Sequence, residues 1–411
     1  LPGEKAMTAP EDRLVIKIPT PVPDMGTDPL PIDPYISAEF FEKEREKVFR
    51  KAWLNVGRVD EIPEPGDYLV KRLEVINATI IVVRGKDNQV RAFHNICPHR
   101  GMQVTEAGCE KGHAEGFICG YHAWIYDLEG QLTHVPGKEY FPATDFTGLQ
   151  LPPVTLDTWN GFIFINDQEK PKLGLQEYLG GLGDDLGAYP FDNFNHIARY
   201  RAKVAVNWKT FIDAFHEAYH VAEVHKHTIP DGCNSPDNPN AVPTSARLYP
   251  PHHSVSVPVN TAYVPSPAAA LAWKFGASFA PGEVGGLPGM NPSGDEAWWF
   301  DINVLFPNFF IDVGPGWYFT YNFWPVSVDE THWEMNIYQL ESTTAAQKIA
   351  QEHTKVLLRD ILYEDLSTME QTHESMKSGR LKEMIVGEME VAVRHQLYQV
   401  QKWVDGKGSM E

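Results

Sequence analysis

Cysteine is scarce in this chain: four among 411 residues are too few to staple a protein of this length through disulfides. Long apolar runs are missing too, since none reaches the roughly 18 residues that a membrane-spanning helix needs. Basic residues are outnumbered, 35 Lys and Arg against 55 Asp and Glu, for a formal net charge of −20. That balance argues against a nucleic-acid-binding surface and predicts repulsion from anionic membranes. An acidic partner protein must therefore find a local cluster of Lys and Arg rather than rely on overall charge. The proline-rich stretch 1–34 lacks the apolar centre of a secretory signal, so the expected location is cytoplasmic.

What is present is ordinary for a globular enzyme: 43% hydrophobic and 22% charged residues, at a length suited to about two or three domains. Residues 1–34 read as an extended arm, and 38–52 as an amphipathic helix with Phe40, Phe41, Val48 and Phe49 toward one side. Short β-rich runs follow at Tyr68–Leu73, Ala78–Arg84, Val90–His94 and Gly161–Asn166, punctuated by Gly, Pro, Asn and Asp. Asp167 to Asn195 reads as a linker, Asn207 to about His225 as a helix, and Pro230 to Pro258 as a loop able to serve as a lid. Strand patterns return at Trp298–Phe306, Trp317–Trp324 and His332–Leu340, with helices at 344–375 and 387–403. The expected class is α+β: an arm and helix at 1–45, a small antiparallel β domain at 46–166, and a larger domain at 167–411 with an antiparallel sheet flanked by helices.

Two of the cysteines open short motifs, C-P-H-R-G at 97–101 and C-G-Y-H at 119–122, each where the chain turns between apolar runs. Cys97, His99, Cys119 and His122 supply two thiolates and two imidazoles, the mixed set that holds a two-iron, two-sulfur cluster. Histidines on one iron raise its reduction potential far above that of an all-cysteine cluster. A Cys₂His₂ zinc site uses the same residue types, although zinc fingers usually pair cysteine with cysteine and histidine with histidine. At these positions the chain resembles a Rieske protein. Cys109 and Cys233 are left over and read as free thiols.

The segment from Asn207 to His225 is dense in histidine and carboxylate. His216-Glu217-Ala-Tyr-His220 matches H-E-x-x-H, which on a helix sets two histidines one turn apart for zinc with the glutamate as general base. The alternative pair is His220 and His225. Five residues of ideal helix advance about 500°, leaving those two side chains roughly 140° apart. They converge on one ion only if the helix ends or widens between them.

N-W-K, a carboxylate, then E-x-Y-H-x-x-x-x-H resembles the catalytic signature of the large subunits of Rieske non-heme iron oxygenases, which include the aromatic-ring-hydroxylating dioxygenases. The resemblance covers roughly residues 38–405 and implies a helix-grip-like catalytic domain. It implies that His220 and His225 bind a mononuclear Fe(II), with Asp365 of the acidic segment 364–370 completing a two-His, one-carboxylate triad. It further implies that Glu217 links the iron site to a cluster histidine of a neighbouring subunit, with Asp213 as the competing carboxylate. Two positions depart from the family pattern: Ala123 stands where Gly is usual, and Ala214 where Asn is common.

The partners implied are O₂, a small-molecule substrate, and a ferredoxin and/or reductase that connects the enzyme indirectly to NAD(P)H. A homotrimer or a multiple of it is implied, with a small beta subunit possible, and no nucleic acid or membrane is expected. The outcome would be dihydroxylation, monohydroxylation or oxidative dealkylation of an apolar, aromatic molecule, with Phe211, Phe215, Phe306, Phe309 and Trp324 as candidate pocket walls. Two other classes stay open: a zinc hydrolase using His216, Glu217 and His220, and a non-catalytic Rieske electron carrier.

Overall fold

A computed structural model describes residues 14–276, 287 and 289–408. The first strand, β1 (Leu30–Pro31), precedes two short helices, α1 (Asp33–Ile36) and α2 (Ala38–Glu44), the second running into a π-helical turn at Arg45–Phe49. Strands β2 (Leu54–Arg58), β3 (Asp67–Leu73), β4 (Ala78–Arg84), β5 (Val90–His94) and β6 (Lys111–His113) follow. The small strands β7 (Phe117–Ile118), β8 (Ile125–Tyr126) and β9 (Leu132–His134) form a sheet of their own. With β10 (Pro153–Trp159) and β11 (Phe162–Asn166), the larger strands make a seven-stranded antiparallel sheet in the order β2-β11-β10-β5-β4-β3-β6. The β10–β11 hairpin turns on Asn160-Gly161, both at positive φ (+46° and +78°), the two-residue turn whose twist matches that of paired strands.

The second sheet begins only after a helix, α3 (Leu175–Leu186), where the sequence suggested a linker. Its strands are β12 (Phe194–Val204), β13 (Ser245–Tyr249), β14 (His252–Pro258), β15 (Trp298–Leu305), β16 (Phe309–Gly314), β17 (Trp317–Ser327) and β18 (Glu330–Leu340). They are antiparallel throughout, in the order β12-β18-β17-β16-β15-β14-β13. Helices α4 (Trp208–Asp213), α5 (Val221–Val224) and α6 (Pro267–Phe275) lie between them in the chain. The 33-residue α7 (Ala345–Lys377), capped by Thr344 and Gln347, then leads through β19 (Glu383–Met384) to α8 (Val391–Val404). No helix among the described residues is long and apolar enough to cross a membrane.

The two faces of the second sheet have different neighbours. Phe309 on one face packs against Phe162 and Phe164 of β11, joining the two sheets. Residues of opposite parity on β16 and β17, among them Phe310, Asp312, Phe319, Tyr321 and Phe323, share the other face. That face meets α4 through Phe211, which packs edge-on to Phe323 at 5.0 Å. The expected loop at 230–258 contains β13 and β14, and the arm lies across the β13 edge, where Lys17 accepts from the Ala246 N–H at 2.9 Å. Covering an edge strand in this way blunts its unpaired backbone groups. Residues 1–13 of the expected arm lie outside the described residues.

Candidate metal centres and the cavity between helix and sheet

The two Cys–His loops repeat one turn. Cys97 N–H donates to the Met102 carbonyl (2.7 Å) and Gly101 N–H returns to Cys97 (2.9 Å); Cys119 N–H donates to Trp124 (2.9 Å) and Ala123 N–H to Cys119 (3.0 Å). The fifth residue of each loop sits in the left-handed region, Gly101 at φ +80° and Ala123 at φ +56°. These turns bring the His99 and His122 rings to 4.6 Å, with Trp124 stacked on His99 at 4.7 Å. The Tyr126 hydroxyl lies 3.1 Å from the Cys97 sulfur. Burial raises the Cys97 thiol, against the Tyr126 hydroxyl and a backbone N–H that favour thiolate. Burial also lowers His99, helped by His122 and Arg100, and so favours the neutral imidazole that ligation requires. Buried Nδ1 atoms on both histidines lack a hydrogen-bond partner among the described residues. Two thiols and two orphaned imidazole nitrogens fit a [2Fe-2S] cluster bound through all four side chains.

The second site is built from an anchor upward. The Asn207 side chain caps α4 by accepting from the Lys209 N–H (3.0 Å), the Trp208 indole donates to Glu44 (3.0 Å), and Lys209 Nζ lies 2.6 Å from the other Glu44 oxygen. The N-W-K part of the motif thus ties α4 to α2. Asp213 ends α4, accepting from the Tyr35 hydroxyl at 2.8 Å, with its Oδ1 3.8 Å from His216 Nδ1. It touches neither His220 nor His225 through any hydrogen bond or ion pair among the described residues.

The helix then breaks. Residues 214–220 form turns, and α5 resumes for one turn with His220 and His225 as its two caps. This is the interruption that convergence of those two histidines demanded. It also removes the zinc-hydrolase geometry, because His216 and His220 share no continuous helix. His216 is instead fully buried, stacked on Phe310 at 5.2 Å and 4.9 Å from the His253 ring.

His220 Nε2 and His225 Nε2 lie 3.4 and 3.1 Å from the same Asp365 Oδ1. One atom from each of the three residues falls within 4.8 Å of the others. Each imidazole is held from behind by a glutamate: Glu217 Oε1 is 2.6 Å from His220 Nδ1, and Glu364 Oε2 is 3.1 Å from His225 Nδ1. The Thr228 hydroxyl donates to Glu364 at 2.6 Å. Such carboxylate–histidine pairs fix the tautomer that leaves Nε2 free as a ligand. Burial alone would lower His220, but Asp365 and Glu217 pull it up to about 10; burial alone would raise Asp365, but the two histidines hold it below its usual range. Three carboxylates around two imidazoles favour a dication in place of protons. Three protein ligands fit an iron that keeps positions open.

Beside this triad is a cavity of about 130 Å³, walled by α4–α5, α7 and the β14–β17 face. Of the expected walls only Phe215 lines it. Phe211 is buried in the core beneath, Phe306 packs on Trp403, Phe309 belongs to the opposite sheet face, and Trp324 lines a cleft against β3.

The catalytic-domain model described as "Ring hydroxylating alpha subunit" matches residues 191–406, more than half of the chain, and the Rieske [2Fe-2S] domain model matches residues 52–147. The chain belongs to the ring-hydroxylating alpha-subunit family. Within it, the carnitine monooxygenase oxygenase subunit of Escherichia coli (strain K12) is 37% identical over 194 residues, 46% of this chain and 50% of that one. The match thus spans about half the length of that relative. Two solved structures share the fold at 22% identity: a quaternary ammonium Rieske monooxygenase (TM-score 0.71, 91% of this chain and 95% of that one) and naphthalene 1,2-dioxygenase from Rhodococcus sp. (TM-score 0.71, 91% and 94%).

Sequence reasoning passed over several lining residues that the family fold brings together: Trp299, Phe300, Trp317, Phe319 and Tyr321, and the single carboxyl Asp312 among them. The β17 run was legible as a strand, and its period-2 alternation puts 317, 319 and 321 on one face. Which face met the helices was not, because β16 went unrecognised as its partner.

Proposed function

We propose that this chain is the terminal component of an oxygenase, taking electrons singly from an external reductase or ferredoxin and using O₂ to oxidise a small organic molecule. The reading rests on one observation above the others: His220, His225 and Asp365 converge at the wall of an apolar cavity, in a chain that also carries a separate Cys₂His₂ cluster site. Residues 46–166 are assigned to electron entry and 167–411 to oxidation. When bound, the cluster supplies single electrons and the iron activates O₂ beside the substrate. The chain's own residues do the remaining work. Aromatic walls exclude water and seat the substrate, Glu364 with Thr228 orients His225, and Glu217 orients His220. In monooxygenation one oxygen atom enters a C–H bond while two electrons and two protons carry the other away as water; in dihydroxylation both atoms add to the arene, and the same two electrons and two protons complete the two hydroxyl groups.

The electron route is assigned between subunits. Among the described residues, no hydrogen bond, ring contact or ion pair links His99 or His122 to Glu217, His220 or His225. A head-to-tail trimeric ring, closed by heterologous contacts, would bring a cluster histidine of one subunit to Glu217 of the next. The decisive variant is Asp365→Ala. Iron analysis should show loss of the mononuclear metal while the visible cluster spectrum persists, and reductant- and O₂-dependent oxidation should stop. Undiminished turnover in that variant, or stoichiometric zinc in a colourless protein, overturns the reading.

A further inference from the structure

Asp312 is the anomaly of the cavity. It lies in the middle of β16 with Ile302 and Phe319 as its register partners on either side, so its carboxyl interrupts an apolar row. The residue is 4% exposed, its carboxyl makes no hydrogen bond to any described residue, and its Oδ1 is closed off from solvent. Carboxyls stranded in this way are costly, and one that persists in a cavity wall calls for a partner that arrives from outside.

The surroundings specify what that partner carries. Glu217 and Asp365 share the wall with Asp312, and no lysine or arginine among the described residues lines it. Six aromatic side chains, Phe215, Trp299, Phe300, Trp317, Phe319 and Tyr321, line it among aliphatic neighbours. Trp317 and Phe319 stack at 4.6 Å, Phe300 packs on Trp317 at 5.7 Å, and Tyr321 on Phe319 at 5.6 Å. Tyr321 lines the same wall as Asp312 and Asp365, so the stranded carboxyl and the metal triad open on one cavity. Ring faces attract cations, and aromatic cages are the usual receptors for quaternary ammonium groups. Away from the two imidazoles, which Glu217, Glu364 and Asp365 already engage, an anion would find no cationic side chain here, and a neutral arene would fill the rings while leaving Asp312 unmatched.

We propose that this cavity takes a substrate bearing a cationic nitrogen, an alkylammonium group, and that Asp312 is the residue that selects for the charge. The proposal rests on the oxygenase reading of the same site and adds a positive charge to the apolar, aromatic substrate expected from the sequence. Burial, with Asp301 nearby, pushes the Asp312 carboxyl well above the usual range, and an incoming cation opposes that shift by favouring the ionised form.

The test compares choline with its neutral carbon isostere, dimethylbutanol, as probes of the anaerobic holoenzyme. Binding is read from the fluorescence of Trp299 and Trp317. The native protein should bind the cation about tenfold or more tightly than the isostere. Asp312→Asn, which keeps the shape, should lose about tenfold for choline and hold the neutral probe within about twofold. Equal affinity of the native protein for the two probes, or an unchanged preference in the Asn variant, overturns the proposal. The first comparison needs no variant, so misfolding of the mutant does not shelter it. Iron and sulfide assayed on the same preparation report separately on the oxygenase reading. A cation preference without either metal centre would retain Asp312's role and reject that reading.

Discussion

Glu364 holds His225 at Nδ1 across 3.1 Å, and the next residue along α7, Asp365, faces Nε2 of the same ring. One turn of α7 thus supplies both a candidate ligand and the support for another. Removing the support with Glu364→Ala should lower iron affinity about 10–100-fold. Glu364→Gln, whose amide oxygen still accepts from Nδ1–H, should recover most of it. Iron titration followed against an unchanged cluster spectrum checks both, and equal affinities for the Ala variant and the native protein would remove Glu364 from the site.

The hydroxyl of Tyr126 offers a second lever. It is the side-chain partner of the Cys97 sulfur, at 3.1 Å. Hydrogen bonds to cluster sulfurs stabilise the more electron-rich, reduced form. Tyr126→Phe should therefore lower the cluster's reduction potential. A neutral hydrogen bond of about 0.5–1.5 kcal/mol corresponds to roughly 20–60 mV for one electron. Spectroscopic redox titration reads the shift directly, and an unmoved or raised potential would contradict it.

Ala123 carries a strain that its counterpart Gly101 avoids. Both hold the left-handed conformation at the equivalent point of their loops, but the Cβ of alanine costs about 1–2 kcal/mol there. Ala123→Gly should raise stability by about 1 kcal/mol, less than the full strain because glycine also frees the unfolded chain. The midpoint of cluster bleaching in urea should move upward. A downward shift would show that the backbone at 123 gains from the methyl group more than it loses.

How much of this was legible beforehand depended on whether chemistry or packing set the pattern. The candidate cluster ligands stood out, because the soft-donor spacing is rare and the loops are local. The strands Ala78–Arg84 and Val90–His94 were legible to the residue, since β-branched runs bounded by turn residues leave little choice. The break between Asp213 and Val221 was legible only as a requirement. Helix propensity favours continuing, and the interruption is imposed by a histidine pair that must meet Asp365 from a distant helix. β13, β14 and β16 were missed for a different reason: their partners lie far along the chain, and the histidine and proline around them read as loop. Asp312 was invisible for the same cause, since a carboxyl on an unrecognised strand has no face to be on.

Glu334 gathers the charges that join the two sheets. It lies 3.4 Å from Lys71 on β3 and 2.7 Å from Arg201, while Arg199 reaches Glu61 at 2.6 Å and Arg201 reaches Glu110 at 2.7 Å. Burial would raise the Glu334 carboxyl, but Lys71, Arg199 and Arg201 hold it down at about 2, against 4.5 for an unperturbed glutamate. Because the folded value is the lower one, the unfolded chain binds the extra proton as acid is added. The stabilisation is complete above about pH 4.5 and is lost as pH falls through about 2. Its size is roughly 3 kcal/mol, at about 1.4 kcal/mol per unit. Glu334→Gln should therefore destabilise the protein clearly near pH 7 and much less near pH 3. Urea unfolding of both proteins at the two pH values measures the gap. A gap as wide in acid as at neutrality would mean that Glu334 acts through packing alone.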